Sequence, residues 1–91
     1  MSKTPEYITL GDGFADVTLS KPFAVDGVKV AVMRLREPLV SDQLAMDKVE
    51  GSAAQEITML ANLCDLPPQA LHSLPARDYR RLQGAYLLFI D

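Results

Sequence analysis

From Ala15 onward apolar and polar residues alternate. Val17 and Leu19 fall on one side of an extended chain and Asp16, Thr18 and Ser20 on the other, the two-residue period of a half-buried strand. Lys21-Pro22 is expected to end that strand. A second β-rich run, Val28 to Leu35, follows Asp26-Gly27, and Asp-Gly between two alternating runs is a strong hairpin signal. Within the second run the apolar positions change parity, from Val28, Val30 and Val32 to Met33 and Leu35. A one-residue slip turns every side chain to the other face, so this predicts a bulge near Val32-Met33 or burial of both faces there. A lone hairpin is marginal in water and needs a cover of helices.

The rest of the chain has helical spacing. Pro38 stops the strand, and Ser41 is placed to cap a helix with Asp42 in its first turn, running to about Glu50 and stopping at Gly51. Ser52-Ala53-Ala54-Gln55 has the form of a capping box. The helix after it carries Ile57, Leu60, Ala61 and Cys64 on one apolar stripe. Leu66-Pro67-Pro68 breaks that helix, a short turn spans Pro68 to Ser73, and Pro75 opens a last helix over Ala76 to Ile90. Tyr79, Leu82, Tyr86 and Phe89 form its core stripe, joined by Ala85 and Ile90. Leu87 and Leu88 exceed what one buried face requires. The predicted order is β-β-α-α-α, an α+β fold in which an N-terminal β-hairpin packs against about three α-helices. Residues 1–13, with Pro5 and the turn Gly11-Asp12-Gly13, are expected to be a flexible N-terminal arm, and residues 14–91 a single domain.

The 91 residues are 48% hydrophobic and 23% charged with a net charge of −3, a composition that supports a packed core. The nine Lys and Arg residues are scattered and leave no nucleic-acid footprint. The N-terminus lacks the basic and apolar regions of a secretory signal, and the longest apolar run, Ala85 to Ile90, is far short of the roughly 20 residues that a membrane span needs. A soluble, unexported protein is expected. The single cysteine, Cys64, agrees with a reducing cytoplasm.

Candidate chemistry is sparse. One histidine and one cysteine nearly exclude the usual nucleophile and metal constellations, and no phosphate-binding, zinc or serine-hydrolase motif occurs. Cys64 lies on an apolar stripe, where cysteines are usually inert, and His72 sits in a proline-bounded turn. Glu37, Asp42 and Asp47 read as solvated helix-end charges. No catalytic residue, cofactor or metal is expected. Arg34 and Arg36 flank Leu35 at a strand end, where they can pair with Asp42 or with a partner's carboxylate. Leu87 and Leu88 can serve as a binding surface, as the contact of a homo-oligomer, or as simple packing. These four residues are the candidate partner-binding positions.

The corner around Arg34 and Arg36 carries a recognisable set of motifs. Leu19-Ser20-Lys21-Pro22-Phe23, Val25-Asp26-Gly27, and Leu35-Arg36-Glu37-Pro38 followed by Asp42 resemble the tail assembly chaperones of Mu-like and related contractile-tailed phages. Leu63, Leu66-Pro67-Pro68-Gln69-Ala70-Leu71, Leu74, Asp78-Tyr79 and a terminal helix ending near Phe89 are similar to the C-terminal pattern of that family. The likeness covers roughly residues 17 to 90. It implies a small factor of the host cytoplasm, phage- or prophage-encoded, that binds the tape measure protein during tail assembly and is absent from the mature virion. Such families often make a longer product by translational frameshifting. The other reading of the same residues is a different small phage or bacterial protein-binding adaptor, or a structural tail component.

Overall fold

Asp26 and Gly27 both take positive φ, 52° and 78°, and Val25 pairs with Val28, so Asp-Gly forms the two-residue turn that matches the twist of a hairpin. The computed structural model describes residues 4–90. Two long antiparallel strands flank the turn, β2 (Phe14–Val25) and β3 (Val28–Arg36). A third strand, β1 (Ile8–Gly11), pairs with β2 across Asp12-Gly13, giving the order β1-β2-β3. Part of the segment expected as an arm is therefore a strand, and the hairpin is one half of a three-stranded meander. Residues 1–3 of that expected arm, and Asp91, lie outside the described residues.

Strand β2 does not end at Lys21-Pro22. It continues to Val25 through a register shift between Thr18 and Phe23. Thr18 faces Val32 and Phe23 faces Val30, so the extra residues sit in β2, opposite the place in β3 where the change of parity predicts a bulge. Pro22 is tolerated because an irregular segment asks no ladder hydrogen bond of it. Below the shift Ile8, Ala15, Val17, Met33 and Leu35 point into the core, while Val28 and Val32 stay exposed.

The first helix, α1, spans Val40–Met46, shorter than expected and capped elsewhere. Its N-cap is Leu39, whose N–H donates to Asp42 Oδ2 at 2.7 Å, and Ser41 lies inside the helix. Helix α2 spans Ser52–Leu63 with Gly51 as N-cap at φ 95°, so Ser52 is its first residue and makes no cap bond. Gln55 points the other way from a capping box: its Nε2 donates to Met46 O and Val49 O, at 3.1 and 2.9 Å, and closes the end of α1. Asp65, at φ 59°, ends α2, with Asp65 N–H bonded to Asn62 O and Leu66 N–H to Ala61 O, the two bonds of a Schellman turn.

A 3-10 turn over Pro68–Leu71 leads to α3 (Ala76–Ile90), which crosses β2. Leu82 and Ala85 are fully buried there, Tyr79, Tyr86, Leu88 and Phe89 pack around them, and Ile90, expected in the core, is exposed. The most buried polar residue is Asp78. It accepts Ser20 N–H, which the register shift of β2 leaves out of the ladder, at 2.8 Å and Ser20 Oγ–H at 3.0 Å, while Arg81 Nε stands 4.0 Å away.

Three substitutions test these anchors. Asp78→Ala removes the acceptor of the Ser20 N–H and hydroxyl and leaves a small cavity under α3, and should destabilise the fold by about 1–3 kcal/mol in urea denaturation. Gln55→Ala should cost about 1 kcal/mol whereas Ser52→Ala changes stability by less than about 0.5 kcal/mol, the reverse of what a Ser52 capping box demands.

Candidate functional site

The four positions singled out from the sequence fall on two surfaces. Met33 and Leu35 face the core, so alternation puts Arg34 and Arg36 on the opposite face of the sheet. Arg34 donates from Nε and Nη2 to the two oxygens of Asp16, at 2.7 and 3.0 Å, across the β2–β3 register. Those hydrogen bonds hold the Asp16 carboxyl below its ordinary range. The guanidinium also lies 3.9 Å from the centre of the Phe14 ring, which covers Gly11 so closely that a Cβ there would run into it. Arg36 grips Asp42 through Nη1 and Nη2 at 2.8 and 2.7 Å, which makes the strand-to-helix corner an ion pair within the chain. Mainly because of those bonds, and despite burial, the Asp42 carboxyl is held down at about 2.

The second surface is built by helices. Leu88 packs partly on the core, but Leu87 is 59% exposed and stands at the rim of a groove between α2 and α3. The groove consists of two adjoining cavities of about 260 and 320 Å³ that share Glu56, Leu60 and Tyr86. Met46 and Met59 line the first, Gln83 and Leu87 the second. A polar clasp joins the helices beside it: Tyr79 Oη–H and Gln83 Nε2 both donate to Glu56 Oε1, at 2.8 and 2.9 Å. Burial and then the Glu56 carboxylate push the Tyr79 phenol up, so it stays a donor. Leu39, Val40 and Leu44 add exposed apolar side chains on α1.

The remaining candidates offer no reactive grouping. Burial pushes the Cys64 thiol up to about 12, leaving it protonated and a poor nucleophile. His72 is exposed and forms no bond with it among the described residues. Glu37, Asp42 and Asp47 do not converge, and no three His, Cys, Asp or Glu residues among those described stand close enough to share a metal ion. What the geometry can do is hold an apolar partner.

The family model for phage tail assembly chaperone proteins, "E, or 41 or 14", matches residues 16–91. The chain belongs to this family. The match runs from β2 through α3 and so includes the sheet arginines, the groove and Asp78. No curated protein and no solved structure shows significant similarity to the chain. Membership gives the protein a tail assembly chaperone role and points to a phage tail protein as its partner. No helix among the described residues is long and apolar enough to cross a membrane.

Sequence reasoning missed the groove's methionines and the Asp78 anchor of this chaperone. Met59 follows Ile57 by two positions and escapes a search for one helical stripe. Asp78 was within reach, because it falls four residues before Leu82 on the stripe assigned to the core, and a carboxylate there must have a partner.

The Asp42 corner makes the chaperone acid-sensitive in a definite direction. The folded carboxyl titrates at about 2, below its unfolded value of 3.8, so the stability it contributes is full above about pH 4 and is lost as pH falls through that window. Urea midpoints at about pH 5 and pH 2.5 should differ less in Arg36→Ala than in the parent, because the depressed titration disappears with the guanidinium.

Proposed function

We propose that this chaperone binds the phage tape measure protein through the groove between α2 and α3 and keeps it soluble in the host cytoplasm during tail assembly. It acts without catalysis and is absent from the mature virion. The observation that carries the reading is the open apolar groove with Leu87 at its rim and Met46 and Met59 in its wall. A tape measure protein is long and helical, and before the tail tube covers it, it exposes apolar helical stripes. A groove between two helices accepts such a stripe, and methionine side chains adjust to a series of different ones. The net charge of −3 favours solubility of the complex.

Of the four candidate positions Leu87 is the best placed for this contact. Leu88 packs on the core, and Arg34 and Arg36 are occupied by Asp16 and Asp42. Co-expression with the tape measure protein from the same gene cluster, followed by affinity capture, tests the reading: the two proteins should co-purify, and the chaperone should raise the soluble fraction of its partner. Leu87→Asp should cut capture about tenfold while circular dichroism stays unchanged, since a charge is costly to desolvate in an apolar contact. A tape measure protein that is equally soluble and uncaptured with and without the chaperone would sink the proposal.

A further inference from the structure

Two of the arginines of α3 have no partner among the described residues. Arg34 and Arg36 each hold a carboxylate, and Arg81 donates to Thr18 O at 2.8 Å and stacks on Tyr7 at 4.3 Å. Arg77 and Arg80, both exposed, make no ion pair or side-chain hydrogen bond among the described residues. With Arg81 and Tyr7 they line a concavity of about 480 Å³ on a chain whose net charge is −3. No carboxylate of the described residues lines it.

The same face of the helix carries a second unexplained feature. Arg77, Arg80, Gly84 and Leu87 follow one another at spacings of three, four and three, which is one line along α3. Glycine in a helix interior lowers stability relative to alanine. Nothing among the described residues asks for it at this position, because a Cβ on Gly84 would meet only the tip of Ile8, at an ordinary 4.0 Å. Its effect is on the surface of the helix: the half-buried Gly84 puts no side chain between a basic end and the 59% exposed Leu87.

We infer that this outer face of α3 reads an amphipathic helix whose carboxylates meet Arg77 and Arg80 and whose apolar side chains cross over Gly84 onto Leu87. The inference rests on the reading of the tape measure protein as the partner, and it adds which of that protein's helical segments are taken: those in which an acidic turn adjoins an apolar stripe. Two unpaired guanidiniums supply long-range attraction and selection by charge, and a bare backbone lets two helices approach closely.

The test measures the affinity of the full chaperone for the tape measure protein. Arg77→Gln with Arg80→Gln should weaken binding about tenfold and flatten its salt dependence, as expected when charge pairs across an interface are lost. Gly84→Ala should raise the melting temperature by a few degrees yet weaken binding, a combination that a purely structural glycine cannot produce. Gly84→Leu should weaken it further. If the wild-type chaperone does not bind the tape measure protein, the proposed function falls and this inference with it. If it binds, and the arginine and Gly84 variants bind with unchanged affinity and salt dependence, the inference is overturned and the proposed function stands. A change of oligomeric state in place of a change in affinity would make a second copy of the chain the occupant and overturn it as well.

Discussion

The arrangement depends on one carboxylate that has no access to water. Asp78 lies at the start of α3 and accepts both the N–H and the hydroxyl of Ser20, so a helix is fastened to the irregular stretch of a strand 58 positions earlier in the chain. The two features need each other. The register shift of β2 releases a backbone donor that a continuous ladder would have used, and a buried carboxylate is tolerated only where such donors converge. Arg81, one turn on, balances the charge from 4.0 Å and reaches Thr18 O just before the shift, with its guanidinium over Tyr7. Helix α3 is thereby fixed in rotation about its own axis. That rotation turns Leu82 and Ala85 inward and leaves Gly84 and Leu87 on other faces.

Polar and apolar contacts are divided between the two sides of the molecule. On the open face of the sheet, Arg34 with Asp16 and Phe14, and Arg36 with Asp42, are satisfied by groups of their own chain. On the helical side α2 and α3 meet through a polar clasp at Glu56 and leave apolar walls beside it. The Arg34–Asp16 pair is exposed and adds little stability in water, so it acts more on geometry than on energy, whereas Arg36 and the buried Asp42 set the corner from which α1 starts.

The α+β class, the Asp26-Gly27 turn, the proline-bounded break and the extent of α3 were legible because each is local. Asp-Gly needs only its own backbone preferences, and a proline acts on its own neighbours. What escaped was tertiary. Ile8 to Gly11 carries little strand signal by itself and forms β1 because β2 offers it an edge. Ser52 and Gln55 have the spacing of a capping box, but Gly51 is free to take the positive φ that turns the chain, and the amide is then drawn to the open carbonyls of α1. The parity change in β3 predicts a bulge near Val32-Met33 or burial of both faces there, and the extra residues lie in β2 instead, since the sequence of one strand cannot say which partner holds them. Of the candidate site, Leu87 was visible as surplus apolar surface, whereas the methionine wall requires two helices to be placed side by side.

The clasp at Gln55 has a further consequence for how the molecule breathes. Helix α1 has seven residues, buries only Asp42 and Met46, and is held to the rest chiefly by the Arg36 pair and by one amide reaching Met46 O and Val49 O. So few fastenings make it the smallest cooperative unit of the domain, one able to open while the sheet, α2 and α3 remain closed. Its amide protons should therefore exchange with solvent through this local opening before those of Leu60 or Leu82, and each opening would uncover the Met46 side of the groove.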